Sequence, residues 1–254
     1  MVIILYPLFA KVAAITKTSG VPKQKLSASF YTGTFPKKLV NNSDYVLHVE
    51  LENTGQEIVD GREGWEVKIE GLPEGFTSYI TTIPTIEPFK RKDVEIHLRT
   101  PKVNGDYPLA VVLYKQQDLV TKQDLSLSLI SPPNLLVQAQ TWFLKKAQGN
   151  DFNLVVYDKN ERVLDEAKSV QFTGGKAKID YLYNIVPNLS YRLVLTKPYY
   201  LPRQVFAKLS ESETRVQFSP LLPLDPSNDG TLNLNDIGAF LHRPLETIGL
   251  LISL

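Results

Sequence analysis

From about Lys25 onward the chain alternates, and this constrains its fold more than any other feature. In YVLHVELEN, Leu47, Val49 and Leu51 fall on one side of an extended backbone while Val46, His48, Glu50 and Glu52 fall on the other. WEVKIEGLPEGF repeats the device, setting Trp65, Val67 and Ile69 against Glu66, Lys68 and Glu70 before a turn rich in Gly and Pro. DVEIHLRTP places Val94, Ile96 and Leu98 on one face, YPLAVVLYK resumes after the turn pair Asn104-Gly105, and DLSLSLISPP closes the series. A helix would scatter these residues around its circumference, whereas a pleated strand gathers them onto one buried face. Short runs of this kind separated by turns predict an antiparallel β-sandwich.

Pro132 and Pro133 interrupt the pattern, and a second series follows in LLVQAQTWFL, DFNLVVYDKN, AKSVQFT, KAKIDYLY, SYRLVLTKPYYLP and TRVQFSP. With 254 residues there is room for two domains. The expected fold class is all-β: two tandem antiparallel β-sandwiches over residues 25–132 and 133–220, then a short helical segment over 221–254. The apolar opening MVIILYPLFAKVAA, within residues 1–24, is too short to span a bilayer. It reads as the remnant of a signal peptide with Val12-Ala13-Ala14 at its cleavage site, as a trimmed start, or as a terminal strand.

Composition narrows the function. Apolar residues make up 43% and charged residues 22%, as expected of a packed protein rather than a disordered or membrane-embedded one. The 28 basic and 27 acidic side chains are interspersed, which argues against nucleic acid as a partner. Absence of cysteine removes disulfides, cysteine-ligated metals and thiol nucleophiles. No serine stands in a G-x-S-x-G elbow, and GGKAK and TGG lack the spacing of a phosphate loop. His48 and His97 read as ordinary strand histidines, and Glu50 with Glu52, or Asp158 with Glu161, as solvated faces rather than catalytic pairs. Trp142, Phe143, Tyr199 and Tyr200 read as core aromatics in preference to a sugar-stacking platform. No catalytic residue is assigned.

The acidic stretch PLDPSNDGTLNLNDIGAFLHRP carries the chemistry. Numbered from Asp225, its first, third, fifth, seventh, ninth and twelfth places hold Asp225, Ser227, Asp229, the Thr231 carbonyl, Asn233 and Asp236, with Gly230 at the sixth, where a calcium loop turns sharply. Three carboxylates supply hard oxygens and compensating charge for Ca2+; without a cation they repel one another. The alternative is an Asx-rich helix cap. Asn233 suits the N-cap of the following helix, with Asp236 at its third position, and Leu234, Ile237 and Leu241 recur on one face until Pro244 ends it.

Family resemblances attach to these residues. Leu51-Glu52-Asn53-Thr54-Gly55, Gly71-Leu72-Pro73-Glu74-Gly75-Phe76 and the strand from Val94 to Leu98 resemble the immunoglobulin-like modules of bacterial and archaeal surface proteins and secreted glycan-degrading enzymes. YRLVLTKPYYLP is similar to the prealbumin-like, or carboxypeptidase-regulatory-like, modules, in which a glycine often stands where this chain has Tyr199. The acidic stretch resembles half of a dockerin, since the run FSPLLPLDP before it is too rich in proline for an entering helix and the loop ends in Asp236 rather than Glu. That resemblance implies side-chain ligation by Asp225, Ser227, Asp229 and Asp236, a carbonyl ligand from Thr231, and a direct or water-mediated ligand from Asn233. Together the resemblances imply a non-catalytic, calcium-binding surface protein with a binding, adhesion or spacer role. A protein or glycan at the cell surface would be its partner. The alternative is an accessory carbohydrate-binding portion of a secreted polysaccharide-degrading enzyme.

Overall fold

The computed structural model describes residues 25–142 and 145–242. Expectations for residues 1–24, for Phe143, for Pro244 as the helix end and for the rest of the segment to 254 lie outside the described residues. The first series of strands is β1 (Ala28–Tyr31), β2 (Lys38–Val40), β3 (Asp44–Asn53), β4 (Trp65–Glu70), β5 (Thr77–Ile80), β6 (Arg91–Arg99), β7 (Gly105–Lys115) and β8 (Asp118–Ile130). The second is β9 (Asn134–Gln138), β10 (Gln140–Thr141), β11 (Lys145–Lys146), β12 (Gly149–Tyr157), β13 (Val163–Phe172), β14 (Lys176–Ile179), β15 (Ser190–Lys197), β16 (Tyr200–Lys208) and β17 (Glu213–Gln217), followed by helix α1 (Leu234–His242).

The all-β class holds. In the first series, sheet β1-β3-β6-β5 faces sheet β2-β8-β7-β4; in the second, β13-β12-β15-β16 faces β14-β9-β17, with β10-β11 as a small ribbon. Pairing is antiparallel apart from β2 with β8 and β17 with β9, which run parallel. The alternation read from sequence sets the inward faces: Leu47, Val49, Leu51, Trp65, Val67, Ile69, Val94, Ile96 and Leu98 are all buried in one core. Phe152, Leu154, Val156, Tyr191, Leu193 and Leu195 are buried in the other, where the Phe152 and Phe172 rings meet at 4.5 Å. Each such side chain contributes roughly 1.5–3 kcal/mol when fully buried.

Local structure departs from the sequence reading in two places. LLVQAQTWFL breaks at Ala139 into β9 and β10: the Ala139 N–H still follows the β14 register to the Gly175 carbonyl, but the Ala139 carbonyl turns to accept the Ala147 N–H at 3.2 Å, and the Gly175 N–H donates to the Ala147 carbonyl instead of completing the pair. KAKIDYLY stops being a strand at Ile179, and Tyr181 then takes a left-handed φ of 64°. Gly55 is fixed by space: a Cβ there would lie 2.7 Å from the Ser27 nitrogen and 2.8 Å from the Lys25 carbonyl oxygen, so only glycine lets β1 close against the end of β3.

Candidate metal centre

The acidic loop is fastened to the turn between β15 and β16. Leu201 N–H donates to the Leu222 carbonyl at 2.9 Å, Arg203 Nε to the Pro220 carbonyl at 2.7 Å, and Asp225 N–H to the Tyr199 carbonyl at 3.3 Å. In return Tyr199 N–H donates to Asn228 Oδ1 at 3.3 Å. Tyr199 has a φ of 68°, a backbone that glycine adopts freely and a tyrosine does not, so the residue that replaces the expected glycine is held by contacts with the loop. Asn228 also takes a left-handed φ, 61°, as asparagine tolerates. Sequence reading missed Asn228, although an asparagine just before Asp-Gly is itself a turn signal.

Asp225, Asp229 and Asp236 converge: each offers a carboxylate oxygen, and these oxygens all lie within 4.8 Å of one another. Asp225 and Asp236 are only 2% and 3% exposed. Among the described residues no basic side chain forms an ion pair with any of the three. Their negative charge is met by neutral donors. Asp225 accepts the N–H groups of Asp229 at 3.0 Å and Gly230 at 2.9 Å; Asp236 accepts the Asn233 N–H at 2.7 Å and the Ser227 hydroxyl at 2.8 Å. Asp229 accepts the Thr231 N–H and hydroxyl at 2.9 and 2.8 Å and the Asn233 amide at 2.9 Å.

These donors hold two carboxyls ionised. The Asn233 amide and the Thr231 hydroxyl keep Asp229 well below the usual carboxylate range. The Asn233 N–H, with help from Ser227, lowers Asp236 against the opposing effects of burial and of the Asp229 charge. Asn233 and Asp236 also cap the helix reciprocally, for Asn233 Oδ1 accepts the Asn235 N–H at 2.7 Å while Asp236 Oδ2 returns to the Asn233 N–H.

The six residues expected as ligands therefore fall into two groups. Asp225, Asp229 and Asp236 form the cluster, with the Ser227 hydroxyl bridging 2.8 Å to Asp236 and 3.3 Å to Asp225. Thr231 and Asn233 attach to Asp229, and the Asn233 side-chain oxygen is committed to the helix cap. A donor set of clustered, ionised carboxylates can coordinate a divalent metal. Ligands 2.3–2.6 Å from one ion stand no more than about 5 Å apart, which accommodates the observed spread.

Other candidate sites disperse. His97 binds Glu95 at 2.7 Å and stacks on Tyr79 at 4.3 Å, with His48 opposite Glu95 on the neighbouring strand. Glu50 and Glu52 flank Arg91, Asp158 binds Arg162, and Glu161 binds Arg192. Tyr200 is 2% exposed in the core, whereas Tyr199 and Trp142 are 41% and 38% exposed and leave it. A groove of about 620 Å³ between edge strands β4 and β5 is lined by Trp65, Val67, Ile69, Ile80 and Ile83, with Glu66 and Lys68 paired to each other at 2.8 Å. No helix among the described residues is long and apolar enough to cross a membrane.

No family model matches the chain, and no curated protein matches it. Solved structures give partial overlaps. The chain is 10% identical to the major pilin subunit BcpA of Bacillus cereus, over 76% of this chain and 69% of that one, with a TM-score of 0.30. It is 15% identical to the CARDB domain of the PF1109 protein from Pyrococcus furiosus, solved in complex with di-metal ions, over 42% of this chain and 93% of that one, with a TM-score of 0.29. It is also 15% identical to a type II cohesin–X–dockerin complex from Acetivibrio cellulolyticus, over 43% of this chain and 72% of that one, with a TM-score of 0.29. Overlaps of this size carry no functional assignment, and the fold class rests on the chain's own strands.

Proposed function

We propose that this chain is a non-catalytic modular protein of the cell surface or extracellular space, built as two tandem sandwiches divided at Pro132-Pro133, whose acidic loop binds Ca2+. The convergence of three carboxylates with no basic partner among the described residues is the observation that carries the reading. Calcium takes six to eight oxygens, and three carboxylates with the Ser227 hydroxyl and the Thr231 carbonyl approach that number. A neutral Ser227 at the third place and a short Asp236 at the twelfth favour affinity in the range of extracellular modules, about 10⁻⁴–10⁻³ M, where the ion is abundant enough to fill the site. The ion's work is structural: it joins the β15–β16 turn, through Asp225, to the first turn of α1, through Asp236.

Calorimetric titration with CaCl₂ tests the reading. Saturable heat is expected, together with a rise in stability of about 2.7 kcal/mol at a hundredfold excess over the dissociation constant. Both are expected to vanish in Asp225→Asn. Absence of calcium-dependent heat and stabilisation at millimolar concentration would overturn it in favour of a purely hydrogen-bonded helix cap.

A further inference from the structure

We propose that the two sandwiches are locked at their junction into one stiff strut, with the entry of the described chain at Lys25 near one pole and the acidic loop near the other. The proposal goes beyond the metal reading and stands on the junction alone.

The covalent link between the sandwiches is short. Strand β8 ends at Ile130 and β9 begins at Asn134, leaving three residues, two of them prolines with φ fixed by their rings. A link of this kind permits a hinge unless other contacts oppose it. Here the opposition comes from β2, β3 and the segment before β15.

Each sandwich lends an apolar side chain to the other. Val40, on β2 of the first sandwich, is fully buried in the second core, and Val186, from the second series, packs against the first core. Opening the junction would draw both back into water. Polar groups close the same seam. The Tyr45 hydroxyl donates to the Ile185 carbonyl at 2.9 Å. Asn184 donates its N–H to Ser43 Oγ at 3.1 Å, accepts the Asp44 N–H at 2.9 Å, and donates its side-chain amide to the Leu164 carbonyl at 2.9 Å. Its φ of 56° directs the chain into this arrangement. On the rim, Lys38 pairs with Glu211 at 2.7 Å, and Glu211 is itself held by the Asn188 amide at 3.0 Å.

The seam lies at one end of both bodies. Tyr45 sits at the start of β3, whose last residue, Asn53, is eight residues and about 27 Å of extended chain away. There the Lys25 carbonyl accepts the N–H groups of Gln56 and Glu57. In the second sandwich Tyr191 and Ile185 lie at the seam end of β15, and Tyr199, beyond its far end, holds the acidic loop. Thus β3 and β15 both run away from the junction, and Lys25 and Asp225 lie at their remote ends.

Pulsed electron–electron spin resonance on the full chain tests this, since the absence of cysteine allows clean labelling at the exposed positions Lys122→Cys and Lys168→Cys. One narrow distance peak is expected between the sandwiches. It should be lost in Lys38→Ala/Tyr45→Phe/Asn184→Gly, while a pair within the first sandwich, Glu74→Cys with Lys122→Cys, stays narrow and reports that the variant is folded. Should the triple variant fail to fold, Asn184→Gly alone makes the same comparison, because glycine retains the left-handed backbone. A broad distribution in the parent chain overturns the proposal, and so does a peak that remains equally narrow when the junction residues are replaced.

Discussion

Tyr45 and Tyr191 occupy equivalent places in two different sandwiches. Each is the second residue of its strand, and each turns its hydroxyl back to the backbone five residues earlier: Tyr45 accepts the Val40 N–H at 2.8 Å, and Tyr191 accepts the Val186 N–H at 2.7 Å. The arrangement is that of a tyrosine corner, in which an aromatic ring fills the core while its hydroxyl pins the loop entering the strand. The two differ in what the hydroxyl donates to. Tyr191 returns its proton to the Val186 carbonyl at 3.0 Å, whereas Tyr45, 3.3 Å from the Val40 carbonyl, lies nearer the Ile185 carbonyl of the other sandwich, at 2.9 Å.

Replacing either hydroxyl strands backbone groups, buried ones at Tyr45 and half-buried ones at Tyr191. Tyr45→Phe leaves the Val40 N–H and the Ile185 carbonyl without a partner, and Tyr191→Phe does the same to both polar groups of Val186. Each is expected to destabilise by about 1–3 kcal/mol, read as a lower midpoint in urea unfolding with an unchanged slope. A midpoint equal to that of the parent would show that water replaces the hydroxyl at no cost.

The same burial makes the fold sensitive to alkali. Burial pushes the Tyr191 hydroxyl up to about 12 from an ordinary 10.0, and burial raises Tyr45 as well. Above pH ~10 the unfolded chain sheds phenolic protons that the folded chain retains, so stability is intact below that pH and falls as pH rises towards 12. Tyrosinate absorbance should therefore appear together with the loss of circular dichroism for the buried tyrosines. Ionisation of Tyr45 and Tyr191 themselves near pH 10 with the fold intact, followed in the single Tyr→Phe variants, would contradict the burial argument.

The acidic loop should fail at the other extreme. With the Asp229 and Asp236 carboxyls lowered by hydrogen bonds, their contribution is present above the unfolded value near 3.8 and is lost as pH falls through their folded values. The helical signal of α1 is expected to fade below about pH 4, before the sandwiches unfold. Amide exchange resolved by residue would show this, and equal protection of α1 and β15 down to full acid unfolding would refute it.

Helix α1 depends on its cap. It is nine residues long, and Leu234, Ile237 and Leu241, which form its apolar stripe, are 80%, 55% and 70% exposed, so no described packing supports it. Asn233→Ala removes the acceptor of the Asn235 N–H and the amide that steadies Asp229. A loss of about 0.5–2 kcal/mol in local helix stability is expected. It would appear as faster exchange of the α1 amides, with those of β12 and β15 unchanged.

Much of this protein was legible without coordinates. Period-two alternation in β3, β4 and β6 marked the faces that fill the first core, because a strand repeats its environment every second residue, and the runs DFNLVVYDKN and SYRLVLTKPYYLP marked β12 and β15 as strands of the second. Gly230 and the spacing of Asp225, Asp229 and Asp236 marked the acidic loop, because a bend that gathers carboxylate oxygens is written over a dozen neighbouring residues. What spans long separations was not legible. The contact of Tyr45 with Ile185 crosses 140 residues, Val40 leaves its own sandwich for the other core, and β17 lies parallel to β9. No local pattern announces such contacts, since they depend on where two finished bodies meet. The helix shows the same limit from the other side. Its apolar stripe is plain in the sequence, but only the tertiary structure shows that stripe turned to solvent while the polar Asp236 is buried, because hydrogen bonds and charge in the loop, rather than apolar area, set the orientation of α1.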